Sequence, residues 1–232
     1  MASPSVTGTP TTSALTSGST FIVNLPLGIV AGETLLVFIY DSGGGSAPAG
    51  WTKTFPFNNL EVYFRLADGT EGSTVTITIT SSKAAAVAYR ITGAADPTVS
   101  GVYQASGASG ASGTNPDPPS VTPTGGSQDY LFAAVAGVNA DVTATAYPTN
   151  YSMGQKTVSS GGTGSGSTKR GIAVAFRQLT ASTDDPGTFT FSGAGTWDAN
   201  TLAVFPAAAA AATSDVIFPA ARRPLMRTLL TR

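Results

Sequence analysis

The chain has 232 residues, 41% of them hydrophobic and 11% charged, with a formal net charge of −1. That length can bury a sizeable core, and the lack of histidine and cysteine removes the commonest general base, the commonest metal ligand and every thiolate or disulfide. No run approaches the ~18 apolar residues of a membrane-spanning helix, and MASPSVTGTPTTS lacks the basic region and apolar core of a secretory signal, so the expectation is a protein used without such export and without a membrane.

Residues 1–17, rich in Ser, Thr and Pro, read as an extended N-terminal arm. Residues 19–25 (STFIVNL) predict a strand that Pro26 stops. Residues 33–40 (ETLLVFIY) are an almost unbroken apolar run, as in a strand covered on both faces. A glycine-rich loop at 41–50 leads to Trp51. Residues 60–80 read as a hairpin. In it Leu60, Val62, Phe64 and Leu66 alternate with a wetter face of Glu61, Tyr63 and Arg65, and Val75, Ile77 and Ile79 alternate with threonines. Asp68-Gly69 and Gly72-Ser73 supply the turn between them. Residues 84–92 (AAAVAYRIT) predict a further strand. Residues 100–119 (SGVYQASGASGASGTNPDPP) look most like a linker, flexible at first and then stiffened by proline.

After this stretch the pattern restarts. Glu33, Leu35 and Leu36 match Asp129, Leu131 and Phe132. The run at 60–65 matches 172–177 at a constant offset of 112 residues: Leu60 to Ile172, Val62 to Val174, Phe64 to Phe176, Arg65 to Arg177. Residues 74–77 match 188–191, and 86–90 match 201–205. A second glycine-rich loop follows at 161–167. These matches predict an internal duplication, with similar halves at 18–93 and 114–206 and a linker at 94–113. The expected fold is all-β: a jelly-roll-like β-sandwich of about ten short strands over 18–206, with extended terminal arms. The alternative is two immunoglobulin-like sandwiches.

Residues 207–232 differ sharply in composition. Six alanines at 207–212 form a spacer. Four of the twelve basic residues lie in the last eleven positions, so residues 214–232 carry +3 and the rest of the chain −4. Phe218, Leu225, Met226, Leu229 and Leu230 are apolar side chains that a solvated tail does not need, and Arg222, Arg223, Arg227 and Arg232 accompany them. The spacing of Leu225, Met226, Leu229 and Leu230 fits one side of a short helix begun by Pro224. These nine residues are the candidate partner-binding set, acting as an anchor to an acidic surface of an assembly.

Other candidates each carry two readings. Asp68, Glu71 and Asp184 lie in matching turns, where they supply either turn chemistry or oxygen ligands for Ca²⁺, although the D-x-D-x-D-G spacing is missing. Trp51 and Trp197 are either stacking platforms for glycan or partly buried core side chains, and Tyr151 stands where Trp51 does in the other half. Arg65 and Arg177 are either interface ion-pair partners or exposed charges on a sheet face. No G-x-S-x-G elbow and no phosphate loop occurs, so the expectation is a non-enzymatic protein with no cofactor and no metal. The acidic body argues against nucleic-acid binding.

Gly50-Trp51-Thr52, the run at 62–76 (VYFRLADGTEGSTVT), Tyr89-Arg90-Ile91-Thr92-Gly93, the run at 185–189 (DPGTF) and WDANTLAV at 197–204 resemble tailed-bacteriophage structural proteins. That group holds β-sandwich proteins of virions, among them capsid decoration (cement) proteins, head fibres and tail-fibre modules. The resemblance covers most of residues 18–206 and transfers no functional residue. It implies a virion component made in the host cytoplasm, most directly a capsid decoration protein attached through a terminal arm. Its partner would be the major capsid protein or another virion protein, with homo-oligomers in the assembly. The alternative is a head- or tail-fibre module that binds host-surface glycan.

Overall fold

The computed structural model describes residues 3–41, 44–80, 83–159 and 169–208. Among the described residues there is no helix, and fourteen strands form antiparallel sheets, as the alternation of apolar and polar side chains requires. The first half holds β1 (Ser5–Leu15), β2 (Thr20–Asn24), β3 (Thr34–Tyr40), β4 (Thr52–Phe57), β5 (Leu60–Leu66), β6 (Thr74–Thr78) and β7 (Ala84–Thr92). The second holds β8 (Tyr103–Gly113), β9 (Gln128–Val138), β10 (Ala144–Ala146), β11 (Ser152–Val158), β12 (Gly171–Ala181), β13 (Thr190–Phe191) and β14 (Gly195–Val204).

Each half is rolled up in the same way. β1 pairs with β7, β2 with β6 and β3 with β5, so the half behaves as one long hairpin folded over on itself, the nesting of a jelly roll. β4 then adds to the free side of β5. The resulting sheet runs β1-β7-β3-β5-β4, and the second half repeats it as β8-β14-β9-β12-β11. The two rolls therefore share one strand order.

The two five-stranded sheets face each other across one core. Leu36, Phe38, Val62, Phe64, Val87 and Tyr89 of the first meet Ala133, Val135, Val174, Phe176, Leu202 and Val204 of the second. Phe38, Tyr89 and Phe176 meet edge to face, with ring centroids 4.7–6.2 Å apart. Each roll thus supplies one whole face of the sandwich; the halves do not share sheets. The β2–β6 pair covers the outer face of the first sheet, and the β10–β13 pair covers that of the second.

Four expectations change. Residues 60–80 are not a hairpin: β5 belongs to the large sheet and β6 crosses to the outer pair with β2. Both strands have an apolar face, but the two faces serve different layers: that of β5 lines the core shared with the second sheet, and that of β6 packs on the opposite face of β5. In consequence the wetter face of β5 is also covered, with Glu61 and Tyr63 buried. The N-terminal arm is largely strand, since β1 is an edge strand of the first sheet. The linker at 94–113 is mostly β8, the edge of the second sheet. Its glycines read as flexibility, yet they leave room for rings: Phe57 lies over Gly107 and Trp197 over Gly110, each closely enough to exclude a Cβ. Finally, the ladders pair Phe38 with Val62 and Val135 with Val174, so β3 matches β9 at an offset of 97 (Phe38 to Val135), not 96. One residue of slip exchanges the faces. Leu36 corresponds to Ala133 in the shared core, and Phe132 points outward.

The glycine-rich run at 161–167 and the anchoring set Phe218, Arg222, Arg223, Leu225, Met226, Arg227, Leu229, Leu230 and Arg232 lie outside the described residues.

Candidate functional site

Trp51 and Tyr151 end equivalent turns. The Trp51 N–H donates to the Pro48 carbonyl at 3.0 Å and the Tyr151 N–H to the Pro148 carbonyl at 3.2 Å. Gly50 and Asn150 hold φ of 78° and 67°, the left-handed conformation that these two residue types tolerate best. The Pro-x-Gly/Asn-aromatic turn is thus a duplicated device that returns the chain to the sheet. Trp51 is 9% exposed and packs under the β2–β6 pair, so its ring presents no open face to a sugar. Trp197 is half-buried on the outer face of the second sheet, beside Gly110. The two tryptophans lie in separate outer layers and build no common site.

The acidic turns close on arginines. Arg65 donates to Asp68 at 2.6 Å and to Glu71 at 3.1 Å. Glu71 also accepts from the backbone N–H groups of Asp68 and Gly69. Hydrogen bonds from Thr70, with Arg65 nearby, hold the Asp68 carboxyl below its usual range. In the second roll Arg177 pairs with Asp184 at 3.2 Å, and the Tyr151 hydroxyl donates to the same carboxylate. Burial, reinforced by Asp184, pushes the Tyr151 phenol well up. Asp68 and Glu71 share one arginine and Asp184 serves another, so the three carboxylates do not converge. Among the described residues no group of three or more acidic side chains is placed to hold a metal ion.

Three buried polar clusters were not singled out from sequence. Glu33 and Arg90 form a two-pronged pair, at 2.8 and 2.7 Å, beneath the outer face of the first roll. Burial raises the Glu33 pKa, but bonds from Arg90 and the Val30 N–H outweigh it and hold the carboxyl below its usual value. Glu61 accepts from Lys53 at 2.5 Å, from the Gly44 and Gly45 N–H groups and from the Tyr63 hydroxyl. Asp198 joins the rolls: it accepts from Tyr40 at 3.2 Å, Asn58 at 2.9 Å and Asn59 at 3.0 Å. The available signal was a charged residue inside an otherwise apolar strand, as at Glu61 and Asp198.

A cleft of about 530 Å³ opens between the edge strands β4 and β8. Thr52 and Thr54 form one wall and the 97–101 loop the other. Phe64 and Tyr103 stack as its floor, with centroids 5.5 Å apart. The Tyr103 hydroxyl donates inward to Thr34, and burial pushes its pKa well up. Among the described residues no carboxylate, ammonium or guanidinium lines the cleft, so these walls suit apolar and hydroxyl-bearing matter. The equivalent place in the other roll, around Ser152 and Phe176 at the β1–β11 edge, is a cleft of about 170 Å³.

No family model matches the chain, and no curated protein and no solved structure matches it either.

Proposed function

We propose that the protein is a non-enzymatic structural component of a bacteriophage particle, most directly a capsid decoration protein held through residues 214–232. The observation that carries this reading is the commitment of the polar side chains: the carboxylates of the clusters described above bind arginines, a lysine, tyrosines, asparagines or turn amides within the rolls, and among the described residues no charged side chain lines the β4–β8 cleft. A body whose clustered carboxylates are held by its own side chains and turn amides, with a basic, apolar sequence after it, suits attachment better than turnover. The partner is the major capsid protein or another virion protein, and the extension's arginines complement an acidic surface. The test is a truncation after Thr213. It is expected to stay folded but to lose attachment to particles; attachment as tight as that of the full chain would overturn the reading.

The second reading is a head- or tail-fibre module that binds host glycan, favoured by the half-buried ring of Trp197 on an outer layer. Immunogold labelling of intact particles separates the two by location.

A further inference from the structure

The two rolls are built alike, yet their quasi-equivalent edge clefts differ threefold in volume, about 530 against 170 Å³. The larger one, between β4 and β8, has an apolar residue on its rim: Val99 is 55% exposed. It also borders β4, whose outer side has no strand beside it among the described residues. An open strand edge next to an apolar-floored cleft is a seat for an extended segment, with backbone pairing along the edge and side chains in the cleft.

The chain itself arrives at this place. The Ala95 N–H donates to Phe205 at 2.9 Å, Pro206 bridges to Ala94, and the Ala207 N–H donates to Gly93 at 2.8 Å. The described chain therefore ends beside residues 93–95, just ahead of the 97–101 loop that walls the cleft. Twenty-four residues follow Ala208. The first seven, AAAATSD at 209–215, are small or polar, and they reach at most about 25 Å at ~3.5 Å per residue. Next comes the first strongly apolar run of the extension, Val216, Ile217 and Phe218, which is uncharged, β-branched or aromatic, and stopped by Pro219. The arginines begin only at Arg222.

We infer that residues 216–218 of the same chain occupy the β4–β8 cleft, laid along the free edge of β4. A spacer this short gives the segment a high effective concentration at its own cleft, which favours the same chain over a second copy. Seating 216–218 would root the C-terminal sequence on the body and leave residues 222–232, which carry all four of its arginines, beyond the seated segment. The inference concerns the isolated protein and does not rest on the virion reading.

The chain has no cysteine, so a disulfide trap is clean. In the full chain, Thr54→Cys with Ile217→Cys is oxidised and compared with Ser152→Cys with Ile217→Cys, which probes the smaller cleft. The expected result is a rapid link within one chain for the first pair and little for the second. Links mainly between chains, or equal rates for both pairs, would overturn the inference. Hydrogen exchange gives the second readout: Phe218→Ala and truncation after Thr213 should each speed exchange at residues 52–54 and 98–101, by at least severalfold. Unchanged exchange at these residues would also overturn it. Loss of particle attachment with an intact link, or the reverse, separates this inference from the proposed function.

Discussion

Beneath their outer layers the two rolls are filled differently at matching positions. The first places Glu33 against Arg90. In the second, Tyr130 and Ala203 hold those places and pack with Phe132 and Phe205; the ladders match Arg90 to Ala203, not to Phe205 as the match of 86–90 with 201–205 had it. Glu61 of the first, tied to Lys53, corresponds to Ala173 of the second, which lies among Ala134, Ala136 and Phe189. What both rolls keep is the nested strand pairing, the turn from Pro48 to Trp51 and from Pro148 to Tyr151, and an arginine at the end of the β5 and β12 core run that closes on an acidic turn. The roll is thus specified by alternation and turn geometry. Buried charge is optional at the positions where only the first roll has it.

The largest effects should come from the face that both rolls share. Phe176→Ala removes a ring that is 1% exposed and touches Phe38 and Tyr89, and is expected to cost about 3–5 kcal/mol in denaturant unfolding. Phe64→Ala, at the equivalent place but on the floor of the open cleft, should fall at or below the lower end of that range. Equal losses would mean that the two clefts are equally closed.

The charge comparison can be broken directly. Arg90→Ala strands the Glu33 carboxylate and should cost about 3–5 kcal/mol, whereas replacing both residues by apolar side chains of similar volume should be neutral or stabilising by about 1–4 kcal/mol. If the double replacement unfolds the protein, the pair is required by the fold and the comparison fails.

A smaller effect is expected where the sheets touch. Gly137 is the counterpart of Tyr40, and the Tyr40 ring fills the space a Cβ would need. Gly137→Val should destabilise by roughly 1–3 kcal/mol through overpacking, a change that chemical denaturation can resolve. The smallest effect is in pH. The folded Glu33 carboxyl sits below its usual value of 4.5, so its contribution is fully present above that pH and is lost as pH falls through the lowered folded value. Glu33→Gln should flatten that part of the acid limb of stability against pH. An unchanged limb would show that the carboxyl titrates alike in the folded and unfolded chain.

Much of the fold was legible because alternation is local. Leu60, Val62 and Phe64 reach the core on the predicted face, and the 112-residue repeat marks equivalent strands. Three things were not legible. A period of two cannot say whether β5 and β6 pair side by side or face one another across a layer. Composition cannot distinguish a flexible Gly/Ser/Ala run from a strand whose glycines lie under Phe57 and Trp197. The cleft depends on how far two sheet edges diverge, a tertiary quantity that no local pattern carries. Of the proposed stacking tryptophans, Trp51 took the core role because its turn delivers it beneath β2–β6.

The most direct test of one sandwich made from two rolls is calorimetric unfolding of the chain truncated after Thr213. Because each roll supplies one whole face of the shared core, neither retains that core alone. A single transition is expected, with calorimetric and van't Hoff enthalpies equal. Two separated transitions, or a folded fragment after cleavage between residues 100 and 115, would contradict it.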